Sequence, residues 1–448
     1  MKITDAVINI VYRVTLVYFY WLMATTVISQ AALAQVTDIS INKRANLLLF
    51  PTKPDSVKIL ETEAITLTQA IDIALRNNLD LQIAMLELKR SRSALRQVQA
   101  DLFPNLNVNS NITRSQSASN QLAIQPFQGR LGDNPTNSFS ADLQFIYKLY
   151  TSGNRNATIQ GAEEQLRENE LDVEIQSETV RLNVTLEYHN LQAADEQVRI
   201  NQSAVVNASA SLRDAQAQEK AGVGTKFDVL RSQVNLANAQ QALTNSLSEQ
   251  QIAQRRLTSL INVPQSLNIT AKDPVKLAGL WNKSLEDTVI QAFQNRPELP
   301  KFLAQRNISI QRRRQALSQL GPQISLVASY SLLDQFNDNT SVTDGYSLGV
   351  QASLNLFDGG ATKARAAQEK ANITIAEVNF AKQRDQIRFD VEQQYNLLQS
   401  NLTNIQTTNL ALEQAKEALR LARLRFQAGV GTQTDVIAAE NDLTRADS

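Results

Sequence analysis

The chain copies its own pattern, and the copy constrains every other reading of it. Residues 218 apart match at Leu67, Ala74, Asn77, Leu81, Arg96, Gln97 and Pro104, which meet Leu285, Ala292, Asn295, Leu299, Arg314, Gln315 and Pro322. Further along the spacing becomes 207, where Ser140, Gln144, Leu149, Gly153 and Ala157 meet Ser347, Gln351, Leu356, Gly360 and Ala364. At that spacing the run Ala221, Gly222, Val223, Gly224, Thr225 returns as Ala428, Gly429, Val430, Gly431, Thr432, and Asp228 returns as Asp435. The shift falls in one stretch, 114–138 against 332–345, and a length change confined there marks a loop.

Each half reads as helix, strand, loop, strand, long helix, glycine turn and return helix, an α+β class built by duplication. The first repeat is expected over residues 65–267, with strands at about 105–113 and 138–150, a long helix at about 154–221 and a return helix at about 226–261. The second is expected over 268–448, with strands at about 323–333 and 345–357 and a long helix at about 361–428. Its return helix starts at 433 and, by the 207 spacing, stops about 20 residues short of its counterpart. That shortness predicts poor assembly of this chain relative to an extended one. Residues 35–64, with Pro51 and Pro54 and no period, read as a tether. Residues 1–34 read as an export signal: Lys2 and Arg13, an apolar run from Val14 to Ile28, then Ala32-Leu33-Ala34 as a cleavage site. The run is shorter than the ~20 residues that span a bilayer.

Four segments alternate with period two. Leu106, Val108 and Ile112 share one face, opposed by Asn105, Asn107, Asn109 and Asn111. Phe139, Ala141, Leu143, Phe145, Tyr147 and Leu149 oppose Ser140, Asp142, Gln144 and Lys148. Ile324, Leu326, Ala328 and Tyr330 oppose Gln323, Ser325, Ser329 and Ser331, and the fourth strand sets Tyr346, Leu348, Val350 and Ala352 against Ser347, Gln351 and Ser353. A soluble sheet needs an apolar partner layer, yet the neighbouring helices are rich in Gln, Asn, Ser and Ala. Lipid on one side and water on the other satisfies both faces. Four strands cannot close, and open edges in lipid leave backbone groups unpaired at several kcal/mol each. Three copies give a twelve-stranded barrel wide enough for water against the polar face, whereas eight strands fill with side chains. A homotrimer in membrane lipid follows, with Asn105, Asn107, Asn109, Asn111, Gln144 and Gln351 facing the lumen.

The long helices carry heptad lanes. Leu166, Val173 and Val180 give way to Val184, Leu191, Val198, Val205 and Leu212 after a step of four; Ile373, Phe380 and Ile387 give way to Val391, Leu398, Ile405, Leu412 and Leu419 at the matching place. Such a stutter changes the local supercoil, and both halves keep it. Small and weakly charged polar residues elsewhere suit a hollow coiled-coil tunnel. The turns at 221–225 and 428–432 end about 100 Å of helix, so their small apolar residues read as docking points for another protein. Thr225 and Thr432 are expected to cap the helices that follow.

Equal numbers of acidic and basic residues argue against nucleic acid as a partner. Without Cys the chain has no disulfide, thiolate metal site or N-terminal lipidation site, and His189 alone cannot build a usual metal centre. No catalytic residue, cofactor site or metal site is expected, and the chain does not read as an enzyme. Arg312, Arg313 and Arg314 read as a solvated face near the membrane interface, with contact to acidic lipid as the alternative.

Ala70-Ile71-Asp72-Ile73-Ala74-Leu75-Arg76-Asn77-Asn78-Leu79-Asp80-Leu81, Phe103-Pro104, Leu356-Phe357-Asp358-Gly359-Gly360 and the two tip runs together resemble the TolC family of outer-membrane efflux proteins. Leu79 stands where the family usually has Pro; the second half keeps Pro297. The resemblance implies an outer-membrane channel with a periplasmic tunnel. It implies docking through the tips to a periplasmic adaptor and to an inner-membrane pump of the resistance-nodulation-division or ABC type, for efflux or type I secretion. It also implies a periplasmic entrance narrowed by acidic residues after the second tip, for which Asp435 and its repeat partner Asp228 are the candidates. Ala438 and Ala439 stand where a second carboxylate is common, with Glu440 beyond. The competing readings are a periplasmic adaptor, which has one hairpin and flanking lipoyl-like sheets, and a coiled-coil structural protein, which leaves the strands unexplained.

Overall fold

Helix caps and turn residues divide the chain where the duplication says they should. The computed structural model describes residues 50–59, 61–116, 135–277, 279–336 and 342–448; the export signal, most of the tether and most of the 114–138 loop lie outside them. Residues up to Lys58 form a separate unit whose described part holds a short 3-10 turn, Pro54–Val57. All else belongs to the second unit.

That unit opens with strand β1 (Glu61–Ile65), helix α1 (Leu67–Asn77) and helix α2 (Leu79–Gln99). A capping box starts α1: Thr66 Oγ1 accepts from Gln69 N–H and Gln69 Oε1 accepts from Thr66 N–H. Asn78 then ends α1 and caps α2 by accepting from Leu81 N–H at 3.1 Å. The missing proline at Leu79 therefore does not remove the helix break, because Asn78 makes it. In the second half α5 (Leu285–Asn295) and α6 (Glu298–Leu317) break at Pro297 itself.

Strands β2 (Asn105–Ser115), β3 (Thr136–Tyr150), β5 (Gln323–Gln335) and β6 (Thr343–Ser353) form one antiparallel sheet in the order β2-β3-β5-β6. The fourth strand stops at Ser353, not near 357: Leu354 and Leu356 are exposed beyond the last paired residue. Helices α3 (Asn154–Lys220) and α7 (Ala361–Gln427) each run 67 residues, about 100 Å at 1.5 Å per residue. They return through α4 (Lys226–Leu260) and the shorter α8 (Gln433–Asp447). Contacts place α2, α3, α6 and α7 side by side in the same order as the strands they join.

A second sheet departs from the sequence reading. β1, assigned to the end of the tether, pairs in parallel with β4 (Leu267–Ala271), at the join between the repeats. Their Ile65 and Ile269 enter a core with Ala70, Ala74 and Leu81, with Val180, Val184, Tyr188 and Leu191 of α3, and with Leu257 and Ile261 around the end of α4. The four-residue step places Val180 and Val184 both inside this core. Tyr188 is fully buried. Its hydroxyl lies 3.0 Å from Ile65 O and 3.1 Å from Asp273 Oδ2, and accepts from Asp273 N–H at 3.1 Å. Gln192 Nε2 donates to Asp273 O at 2.8 Å. These bonds strap the inter-repeat segment across the middle of α3.

Candidate functional site

The sheet has two chemically distinct faces. Directly opposed residues share a face, so the pairing assembles a polar row across all four strands: Asn107 opposite Gln144, Gln144 opposite Ser329, Ser329 opposite Ser347. The two serine hydroxyls are 2.8 Å apart. Asn109 and Asn111 join this face through Asp142 and Ser140, Asn105 through Ile146, and Gln351 through Ser325, so all six residues expected to line a lumen lie on one side. The row on the other side reads Val108, Leu143, Tyr330, Tyr346, and beside it Leu106, Phe145, Ala328, Leu348. Val108, Tyr346 and Leu348 are exposed at 59%, 86% and 72%, so this apolar face has no covering among the described residues. Among the described residues β2 and β6 are the sheet's edges, each paired on one side only.

The two tips are built alike. Gly222 and Gly429 sit at φ 77° and 75°, the left-handed region that closes a helix. Val223 and Gly224 N–H donate to Gln218 O; Val430 and Gly431 N–H donate to Arg425 O. Ala221 and Ala428 end their helices by donating to Ala217 O and Leu424 O. Val223 and Val430 project into solvent at 78% and 70% exposure. Thr225 and Thr432 cap α4 and α8 in capping boxes closed by Asp228 and Asp435. The entrance candidates thus turn their carboxylates back to Thr225 N–H and Thr432 N–H, at 3.2 and 3.0 Å. The backbone N–H of Thr432, then its side chain and the charge of Arg425, hold the Asp435 carboxyl below the usual carboxylate range.

Behind the tips the structure shows residues that periodicity missed. Gln433 is 1% exposed and its Nε2 donates to Ser211 and Ser232, both at 2.9 Å. Glu440, also buried, accepts from Arg423 at 3.1 Å and Asn235 at 3.2 Å, and Arg423 reaches Asn207 at 3.0 Å. Gln218 Nε2 donates to Phe426 O at 2.8 Å. This network binds one helical hairpin to the other just above the tips. A buried Gln or Glu in a helix has the same residue type as a solvated one, so only repeated polar residues on inward lanes hinted at it. Burial pushes the Glu440 carboxyl up, against the pull of Arg423 and Asn235.

A family model described as outer membrane efflux protein matches residues 70–263 and 289–448. The chain is 25% identical over 376 residues to the pyoverdine export outer membrane protein OpmQ of Pseudomonas aeruginosa, covering 83% of this chain and 78% of that one. It is 24% identical to the alkaline protease secretion protein AprF of the same species, covering 86% and 80%. Its fold matches the outer membrane protein VceC of Vibrio cholerae with a TM-score of 0.71 at 18% identity, over 85% of this chain and 90% of that one.

Proposed function

This chain belongs to the outer membrane efflux protein family, and on that premise we propose that three copies pool their four-stranded sheets into one twelve-stranded barrel in the outer membrane. The chain is a channel-tunnel of that membrane, and its family is one of transport channels. The observation that carries the trimer is the sheet with two open edges, a polar row on one face and an uncovered apolar row on the other. Strands of 11 to 15 residues suit a tilted crossing of the bilayer. Joining β6 of one copy to β2 of the next pairs every edge, gives the apolar face to lipid and the Asn107–Gln144–Ser329–Ser347 row to water.

The helices continue this cylinder into the periplasm. Residues 221–225 and 428–432 at its far end dock a periplasmic adaptor, which couples the tunnel to an inner-membrane pump of the resistance-nodulation-division or ABC type. Relatives named for pyoverdine export and for alkaline protease secretion fit a conduit whose cargo is chosen by the pump. Asp228 and Asp435 stand beside the entrance, serving first as caps.

Membrane fractionation and planar-bilayer conductance test the reading. The chain has no native cysteine, so engineered pairs on β2 and β6 report neighbouring edges by oxidation. Outer-membrane partitioning, discrete conductance steps and covalent trimers are expected. Lipid-free monomers with no conductance would end it.

A further inference from the structure

The charges are unevenly placed where sheet meets helix. Residues 143–162 and 299–333 contain no Asp or Glu; Asp101, Asp172 and Glu377 from outside them pair Lys148, Lys301 and Arg306, which leaves Arg155, Arg312, Arg313 and Arg314 without a carboxylate at ion-pair distance among the described residues. These two segments, one from each repeat, converge on an open cleft of ≈ 690 Å³ between the start of α3 and the end of α6. Tyr150, Ser152, Asn156, Gln160, Gln311 and Arg314 line it. A register shift between Lys148 and Tyr150 sets Tyr150 opposite Ile324, which shares the apolar face with Leu326 and Ala328, and this places the cleft on the side that meets lipid.

Donors in the cleft outnumber their partners. Arg314 reaches only Gln311 Oε1, at 3.4 Å, and among the described residues it has no carboxylate within ion-pair distance. The side-chain amides of Asn156 and Gln160 are exposed and make no hydrogen bond among the described residues. Gly153 starts α3 without a side-chain cap of its own, and Thr151 Oγ1 accepts only from Arg155 N–H, at 3.2 Å, so the positive end of a long helix adds to the same place. Gly321 keeps the walls close: a Cβ there would meet Ser152 Cβ at 2.6 Å. Its repeat counterpart is Phe103, before Pro104, so the other half does not reproduce this floor.

We propose that this cleft holds the phosphate headgroup of an anionic glycerophospholipid from the periplasmic leaflet. The inference rests on the membrane placement proposed above. Arg314 supplies a planar, permanently charged fork that suits phosphate oxygens, and Asn156 and Gln160 donate beside it. The acyl chains continue along Tyr150 and Ile324 onto the uncovered apolar face. The lining holds Arg314 and no Asp or Glu, so it favours a net-anionic headgroup over a zwitterionic one, whose ammonium offsets its phosphate and finds no carboxylate there.

The test is native mass spectrometry of the full chain in detergent, stripped of lipid and titrated with phosphatidylglycerol, phosphatidylethanolamine or inorganic phosphate. The wild type is expected to retain phosphatidylglycerol in preference to phosphatidylethanolamine. Arg314→Gln is expected to bind phosphatidylglycerol about five-fold more weakly, with a smaller loss for phosphatidylethanolamine, so that the preference between the two shrinks. Arg314→Lys keeps most of the preference, and Arg420→Gln, far along α7, keeps all of it. Equal retention of both lipids by the wild type overturns the proposal, as does unchanged binding by Arg314→Gln or an equal loss in Arg420→Gln. Inorganic phosphate held as tightly as phosphatidylglycerol makes this a small-anion site and overturns the lipid assignment. The wild-type ratio and the Lys variant keep the result decisive if the Gln variant misfolds. Conducting pores without lipid preference defeat this inference alone, whereas a wild type that never enters membranes defeats the channel reading.

Discussion

Glu440 of α8 accepts from the Arg423 guanidinium of α7 at 3.1 Å, with the carboxylate 4% exposed. This pair sits in the junction that joins the two helical hairpins. Losing one member of a fully buried pair costs about 3–5 kcal/mol; the partial exposure of Arg423 lowers the expected cost of Arg423→Ala to about 2 kcal/mol. Thermal unfolding of the wild type and the variant measures it.

The same carboxylate makes stability depend on pH. Burial raises the folded pKa of Glu440 above its ordinary 4.5. Between 4.5 and that raised value the folded chain keeps a proton the unfolded chain has released, so this group's contribution falls as pH rises through the window. Asp435 works in the opposite sense: its lowered pKa gives a contribution present above its ordinary 3.8 and lost as pH falls through the folded value. Melting curves from pH 3 to 8 are expected to show a shallower decline above about pH 4.5 in Glu440→Gln than in the wild type. A variant that tracks the wild type throughout contradicts the assignment.

Tyr188 closes the strap between the repeats. Removing its hydroxyl in Tyr188→Phe leaves Asp273 N–H without its partner, at about 1–3 kcal/mol. Its repeat counterpart Tyr395 makes only a 3.4 Å contact to Lys283 O, so Tyr395→Phe is expected to be nearly neutral. Paired denaturation curves separate the two.

At the tips, Gly222→Ala places a side chain at φ 77° and costs about 1–2 kcal/mol. Thr225→Ala removes a cap worth about 1 kcal/mol. Both changes lie far from the sheet. Trimer yield and single-channel conductance are therefore expected to stay at wild-type levels while export in complemented cells falls. A loss of trimer equal to the loss of export would refute a docking role.

The two faces of the sheet predict opposite outcomes for the same kind of substitution. Val108→Arg puts charge on the apolar row and is expected to cost about 2–4 kcal/mol at mid-membrane depth, read as lost trimer. Gln144→Lys puts charge on the polar row and is expected to leave assembly intact while shifting conductance toward anions.

Regular elements were legible because their periods are local. Alternation at Leu106, Val108 and Ile112 and the heptad step at Val180 and Val184 follow from where successive side chains point, and the duplication checks each half against the other. The break at Asn78 survives the loss of proline because a side-chain cap does the same local work. What escaped notice involved distant partners. β1 is five residues without a period, and only Leu267–Ala271, some two hundred residues away, makes it a strand. Asp273 and Gln433 look like surface residues until Tyr188, or Ser211 and Ser232, close over them.

By itself, then, the order of residues determined the duplicated plan, the two-faced strands, the stuttered lanes and the capped turns, since each depends on neighbours within a few positions. Tertiary structure decided which strands stand adjacent, which polar side chains are buried between hairpins, and where the cationic cleft opens. Those outcomes depend on which segments meet, and burial turns an ordinary Glu, Gln or Arg into a specific contact only after they do.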